Sequence, residues 1–473
     1  NYGNRNYHFI HNLLNITGKF SPQPFVDEDT FCMFNGEIYN YANFGKFESD
    51  GQCLLPAYKE YGVFFPEYLD GEFAIVLVDF KKDIFLLASD VFGTKPMWTG
   101  IDNERFMIAS YPSAIKGKLS SNPKKFPANT YSVRKLSTLE LLSEHRVYKF
   151  DLNQYKTTFD DWILAFDQAI AKRAKNTTHP ALVCMSSGFD SGAICASLKK
   201  QNIDFFTYTI IGKENKNIIN ERIKWNNVDY EIIHLSDLDF GNHQNIIKKY
   251  CEDFQYQKLK HESLPDDLMS NDQGAIGLSF ILERAKSNSQ RIYLSGQGAD
   301  EIISDYGFLG RPLLKQSCFG GLFPQDLSTI FPFDPTSKDY VWYCFYKGTQ
   351  SSYLGMFESV CGFYGIEGRY PFLDKEVVQE FLSLNVELKN SRYKAPIAAY
   401  FDSLGYPYEK DVKRGFAAGS NLQKTTKIVS KYNDNLVLET PDSKLKVKEV
   451  TNFRDMISIL FILPVQGGSG GAH

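Results

Sequence analysis

The sequence predicts a two-part chain, α+β followed by α/β. A layered, largely antiparallel-sheet domain over residues 1–150 precedes a doubly wound parallel-sheet domain over 156–425. Three observations predict this. Up to residue 150, short apolar runs (73–80, 84–89, 106–110 and 131–135) are punctuated by Gly, Pro, Asn and Asp, the pattern of antiparallel strands joined by turns. From Phe159 the spacing turns helical, with Trp162, Ile163, Phe166 and Ile170 on one face and Asp161, Lys172 and Arg173 among the polar positions. In the second part, two buried-type strands each run into a Ser/Gly loop carrying an aspartate. The join at 150–156 is short and polar-leaning, without a Gly/Ser tract, which predicts packed rather than tethered domains. Residues 426–463 read as a C-terminal extension. Within it, 457–463 is too short to span a membrane and reads as a packed terminal segment. Residues 464–473 read as a flexible tail.

The first loop follows Ala181-Leu182-Val183-Cys184, which reads as a short buried strand. Met185-Ser186-Ser187-Gly188-Phe189-Asp190-Ser191-Gly192 then leads to a helix over 193–198. Small residues let an anion approach the backbone, consecutive N–H groups line the turn, and a helix N-terminus faces the ligand. Such a loop suits pyrophosphate, and Asp190 suits the Mg²⁺ that accompanies phosphates. Taken alone, the stretch also reads as an ordinary turn with a helix N-cap. Strand-like runs at 205–210 and 230–235, and helical stretches near 244–252 and 274–286, lead to a further strand at 291–294. It opens into Ser295-Gly296-Gln297-Gly298-Ala299-Asp300-Glu301. Alternating strands and helices imply a parallel sheet with right-handed crossovers, whose ligands bind at the carboxyl ends of the strands. Both loops then open onto one crevice, where Asp190 and Asp300 reach one metal–pyrophosphate.

Composition supplies bounds. In 473 residues, 43% hydrophobic content provides for more than one core, and a net charge of -4 with pI near 6.1 offers no basic field for nucleic acid. Lys199-Lys200 reads as a solvated helix end. The eight cysteines show no CxxC pairing and several lie in apolar runs, as reduced, buried thiols do. With no signal peptide or membrane-length apolar stretch evident, the expectation is a cytoplasmic protein.

Ser-Ser-Gly-Phe-Asp-Ser at 186–191 and Ser-Gly-Gln-Gly-Ala-Asp-Glu at 295–301 resemble the paired motifs of glutamine-dependent asparagine synthetases. Phe34-Asn35-Gly36-Glu37-Ile38-Tyr39-Asn40, Leu69-Asp70-Gly71-Glu72-Phe73-Ala74 and 88–96 are similar to that family's N-terminal class II glutaminase domain. Glu367-Gly368-Arg369-Tyr370-Pro371-Phe372-Leu373-Asp374 and Lys413-Arg414-Gly415-Phe416 resemble its C-terminal part. The resemblance runs in the family's order from about residue 7 to 420. It implies a glutaminase-like domain followed by a PP-loop ATPase domain. The implied reaction is asparagine synthesis, in which ATP converts aspartate to an aspartyl-adenylate and ammonia, drawn from glutamine, displaces AMP. ATP and Mg²⁺ are the implied cofactors, and the partners are small molecules: aspartate, ATP, and glutamine or ammonia. Neither nucleic acid nor membrane is implied, and pairing as a homodimer is.

Residue by residue, the resemblance makes Ser186, Ser187, Gly188 and Ser191 the pyrophosphate cradle and Asp190 and Asp300 the metal-holding carboxylates. Ser295 and Gly296 would contact the nucleotide, and the strand bearing Thr207 would border the adenine. Lys413 would neutralise the departing pyrophosphate, with Lys394 a further candidate; Lys413 also reads as a solvated lysine of the 410–414 run. Asn35 and Gly36 would form an oxyanion site, and Glu37 and Asp50 would hold the glutamine ammonium; the longer match through Tyr39-Asn40 favours this over the hairpin turn that Asn-Gly also signals.

Several positions depart from the family. Gln297 stands at a catalytic glutamate position, and an amide is not a useful base at neutral pH. Ser187 replaces a glycine, and Leu13 falls where an arginine would pair with the glutamine carboxylate. The chain begins at Asn1, and its first cysteine, Cys32, sits in a strand-like run and reads as core. No glutaminase activity is therefore expected of the chain as written, which reads either as an N-terminally incomplete version of a longer protein or as a short form using free ammonia. Three readings follow: an asparagine synthetase, a related adenylating enzyme forming another amide or a lactam, as β-lactam synthetases do, and a catalytically degenerate relative.

Overall fold

The computed structural model describes residues 7–102, 105–175, 177, 179–256, 267–330, 349–432, 435–439 and 459–464. They belong to two units, Asn1–Lys149 with Phe453–His473, and Phe150–Asn452.

In the first unit the short apolar runs pair antiparallel. Its strands are β1 (His8–His11), β2 (Phe25–Asp27), β3 (Thr30–Ile38), β4 (Gly71–Asp79), β5 (Ile84–Ser89), β6 (Trp98–Ile101), β7 (Arg105–Ala109), β8 (Lys124–Lys125), β9 (Thr130–Lys135) and β10 (Leu141–His145), with α1 (Leu54–Tyr61) between β3 and β4. One sheet runs β10-β9-β5-β4-β3-β2. Its central strands β4 and β5 are buried almost throughout, and Met33, Val76 and Leu87 share a core with Phe106 and Ile108 of β7. Two sheets thus close on one apolar layer, as amphipathic strands require.

The hairpin turn, the weaker reading of Asn35-Gly36, does not form. β3 continues through both residues, with Asn35 opposite Ala74 and Gly36 opposite Phe73. Full-length pairing with β4 satisfies backbone groups that a buried turn would leave unpaired. Gly36 takes φ +130°, and a Cβ there would lie 1.8 Å from the carbonyl oxygen of Glu72, so the glycine is required by close approach rather than by a turn.

The second unit begins with α2 (Asp160–Ala174) and then alternates: β11 (Ala181–Cys184), α3 (Phe189–Lys200), β12 (Phe205–Ile210), α4 (Lys216–Asn226), β13 (Tyr230–His234), α5 (Asp237–Tyr250), α6 (Gln273–Ser287) and β14 (Ile292–Leu294). A small hairpin, β15 (Gly307–Phe308) and β16 (Arg311–Pro312), precedes α7 (Thr349–Tyr364), β17 (Glu367–Arg369), α8 (Lys375–Ser383), α9 (Val386–Asn390), α10 (Ala395–Leu404), β18 (Lys427–Tyr432) and β19 (Asn435–Glu439). The sheet order is β17-β14-β11-β12-β13-β18-β19. Its first five strands are parallel and the last two antiparallel. Every residue of β12 is buried, because helices cover both faces of a parallel sheet.

This order positions the site. From β11 the chain winds one way to β12 and β13, then crosses to place β14 on the other side of β11. The carboxyl ends of β11 and β14 flank a topological switch point, where open α/β sheets bind ligands. The helix after β11 also starts earlier than its apolar run suggests: α3 begins at Phe189, so Asp190 and Ser191 lie on its first turn with Gly188 as N-cap. An acidic residue there complements the positive end of the helix dipole.

The segment after residue 426 divides. β18 and β19 extend the sheet of the second unit, whereas the last strand, β20 (Ile459–Pro464), inserts between β1 and β7 of the first unit, giving β1-β20-β7-β6-β8. Among the described residues, no helix is long and apolar enough to cross a membrane.

Candidate active site

The two acidic loops meet at one pocket of the second unit. Ser186, Gly188, Asp190 and Ser191 line it from the β11 side, Ser295, Gly296, Gln297, Asp300 and Glu301 from the β14 side, and Lys413 to Phe416 from the C-terminal segment. Their approach is close: a Cβ on Gly296 would lie 2.7 Å from Cβ of Asp190. Only glycine lets the second loop pass so near the first.

Within the first loop, the Ser186 N–H donates to Ser191 Oγ at 3.0 Å, and the Gly188 N–H donates to Ser186 Oγ at 3.1 Å. Ser187 donates both its N–H and its hydroxyl to the Glu214 carboxylate. That side chain replaces the glycine of the resembling motif without a positive φ, so the substitution adds an anchor and no left-handed strain.

Four charges form the centre. The Lys394 ammonium bonds Asp190 and, at 2.7 Å, Asp300 Oδ1, while Lys413 bonds the other Asp300 oxygen. Tyr393 adds a hydroxyl donor to Asp300 at 3.2 Å. Burial raises the Asp190 carboxyl above its ordinary range, and Lys394 only partly offsets this against nearby Asp300. Burial opposes ionisation of Asp300 too, but with Lys394 and Lys413 both on it the net direction is downward. Burial disfavours the Lys394 ammonium, yet the two aspartates outweigh that and raise it. Two carboxylates and two ammonium groups thus balance locally.

Asp190 and Asp300 already hold one cation jointly, the ammonium of Lys394. That is the donor arrangement Mg²⁺ uses when it takes its remaining ligands from phosphates and water. No group of three or more metal-ligating side chains occurs among the described residues, so the fit is to a metal that arrives with the nucleotide.

Gln297 and Glu301 form a second feature. Gln297 Nε2 donates to Glu301 Oε1 at 2.5 Å, the Tyr306 hydroxyl donates to the same oxygen at 2.5 Å, and the Gly298 N–H donates to Oε2 at 3.0 Å. Burial first, then neighbouring Asp300, pushes the Glu301 carboxyl up to about 6. Ser295, at the start of this loop, is fully buried, its N–H held by the Arg369 carbonyl at 2.9 Å.

Not every sequence candidate reaches the pocket. Thr207 is buried within β12, its N–H bonded to the Asp229 carbonyl at 3.1 Å, and is not among the lining residues. In the first unit, Asn35 and Glu37 lie buried on β3 beside Gly36, and Asp50 Oδ2 accepts the Ile38 N–H at 2.8 Å. Asp50 therefore packs directly against the strand carrying the other three. Cys32 is fully buried on the same strand, and burial pushes its thiol far above the ordinary range, as for a core residue.

Sequence reading passed over Glu301, Glu214 and Arg222. Glu301 lay inside a motif already singled out. Arg222 shares the buried face of α4 with Ile219 and Asn226, and a charge at an apolar-stripe position was the available signal.

Residues 11–117 match the model of a glutamine amidotransferase domain, and residues 162–328 match that of asparagine synthase. A putative glutamine-hydrolysing asparagine synthetase of Methanocaldococcus jannaschii is 26% identical over 419 residues, covering 82% of this chain and 71% of that protein. Asparagine synthetase 1 of Arabidopsis thaliana is 24% identical over 415 residues, and this chain spans 65% of its length. Among solved structures, the U34-tRNA thiolase NcsA of Methanococcus maripaludis matches at 12% identity over 52% of this chain and 74% of that one, with a TM-score of only 0.24. Two family models thus match the chain in this order, a glutamine amidotransferase domain before an asparagine synthase domain, and the chain is similar over most of its length to glutamine-hydrolysing asparagine synthetases.

Proposed function

We propose that the chain is an ATP-dependent carbon–nitrogen ligase that activates a carboxylate as an acyl-adenylate and transfers it to ammonia. The observation that carries this is the meeting of Asp190 and Asp300, from two different strand ends, with Lys413 in one pocket, and the buried Lys394 ammonium bonded to both aspartates. A carboxylate oxygen of the acid attacks the α-phosphorus of ATP and pyrophosphate leaves. Nitrogen then attacks the acyl carbon, the bond to AMP breaks, and a proton leaves the nitrogen. Ser186, Gly188 and Ser191 bind the pyrophosphate, and Lys413 neutralises the charge that builds as it departs. Mg²⁺ held by Asp190 and Asp300 would supply further charge neutralisation on the phosphates. With aspartate as the acid, as the relatives' names suggest, the product is asparagine.

A second reading, a different acid, is favoured by Gln297 and by Arg414, whose guanidinium donates twice to Glu409 rather than facing a second carboxylate on the substrate.

Incubation with ATP, Mg²⁺ and aspartate, with and without ammonium, tests the reading by following pyrophosphate and asparagine together. Asparagine formed only with ammonium, and both products lost in Asp190→Ala, is the expected result. Pyrophosphate released with another acid but not with aspartate would select the second reading, and none with any acid would sink both.

A further inference from the structure

Arg222, on α4, has no exposed surface and, among the described residues, no carboxylate partner. Its Nη1 donates to the carbonyl oxygens of Ser186 and Gly188 at 2.6 and 2.7 Å, and its Nε donates to the Pro407 carbonyl at 2.9 Å. Nη2 is buried without a hydrogen-bond partner. The guanidinium lies 5.1 Å from the Tyr406 ring centre and 5.6 Å from that of Phe401. Gly192 faces it across a gap that a Cβ would close to 2.7 Å. An unpaired buried charge is costly, and the interior accepts it only where it serves a compensating interaction.

That interaction is visible in the covalent geometry. The Ser186 carbonyl shares its peptide plane with the Ser187 N–H, and the Gly188 carbonyl shares its plane with the Phe189 N–H. A cation bonded to the oxygen end of each peptide strengthens the N–H at the other end as a donor. The Ser187 N–H already bonds an anionic oxygen, that of Glu214 at 2.5 Å, and the Phe189 N–H opens helix α3. The same guanidinium ties the loop to Pro407, six residues before Lys413.

We propose that Arg222 is the buried counter-charge of the phosphate loop: a positioning residue that turns the Ser186 and Gly188 carbonyls inward, which holds the Ser187 N–H on Glu214 and leaves the polarised Phe189 N–H at the start of α3 as the donor for a polyphosphate. It touches no substrate and acts through the backbone. The inference rests on the reading of this loop as the pyrophosphate site.

The test compares binding of Mg²⁺–ATP, pyrophosphate and adenosine to the full chain, its Arg222→Met variant and its Arg222→Lys variant. Arg222→Met is expected to weaken ATP and pyrophosphate by about ten- to a hundredfold, the range for losing charge-assisted hydrogen bonds, with adenosine unaffected. Arg222→Lys keeps the charge but not the fork, so its phosphate affinity is expected to fall between the other two. Should Arg222→Met fail to fold, a selective loss of phosphate affinity in Arg222→Lys carries the same meaning. Unchanged ATP affinity, or equal losses for ATP and adenosine, would overturn the proposal, the latter by showing a purely structural role. A wild-type chain that binds adenosine but neither ATP nor pyrophosphate would overturn the functional reading of the loop, and this role with it.

Discussion

Glu301 shows how a single buried carboxylate writes itself into the behaviour of the whole chain. Its native value of about 6 lies above the ordinary 4.5, chiefly through burial. The native protein therefore holds a proton that the unfolded chain releases between those values. The ionised form costs stability above about pH 6, and the native state gains as pH falls from 7 toward 4.5. In Glu301→Gln, the gain in unfolding free energy between pH 7 and pH 5 should shrink by about 1 kcal/mol, part of the roughly 2 kcal/mol that a shift of about 1.5 units at 1.36 kcal/mol each supplies in full only well below pH 4.5. An unaltered pH slope would mean that Glu301 ionises as an exposed carboxylate does. Because Gln297 donates to Glu301, the substitution also tests whether the amide at position 297 is held in place by its neighbour. Glu301 was legible as part of a motif but not as a strained acid, since burial is not a local property of sequence.

At the scale of elements, glycines mark where backbones must nearly touch. Gly36 sits in mid-strand on β3 with φ +130° and the Glu72 carbonyl where a Cβ would go. Gly36→Ala is therefore expected to destabilise the first unit by more than about 2 kcal/mol, since both the backbone angle and the space are denied. A thermal melt that matches wild type would show that β3 and β4 can part at that point. The Asn-Gly pair illustrates the limit of dipeptide signals: the same residues that favour a two-residue turn are carried through a nine-residue strand when a partner strand pairs with every one of them. Strands β4, β5, β9 and β11 were legible because apolar runs between turn residues need no distant information. The start of α3 was not, because its first turn is polar and is held by the loop preceding it.

For the whole molecule, the C-terminal strand matters most. β20 fills the space between β1 and β7 in the sheet of the first unit. Ending the chain after residue 452 would leave both neighbours with unpaired backbone groups. The truncated chain should show a lower melting transition for the first unit and increased protease sensitivity there, while Mg²⁺–ATP binding by the second unit stays unchanged. Loss of ATP binding on truncation would mean that the two units defined by Asn1–Lys149 with Phe453–His473 and by Phe150–Asn452 do not hold their sites independently.

By itself, the sequence determined the two-part organisation, most strand positions, and the two acidic loops, because periodicity and small-residue runs are short-range chemistry. The hydrophobic content and modest negative charge likewise needed no structure to interpret. Only the tertiary structure decided that β14 lies directly beside β11, the adjacency that forms the crevice the two loops had implied. It alone placed Lys394 between Asp190 and Asp300, set the Arg222 guanidinium on the carbonyls of the 186–188 loop, and returned the final strand to the first unit. Each of these depends on contacts between residues far apart in the chain, and such contacts are selected by the packing of whole elements rather than by the residues adjoining any one of them.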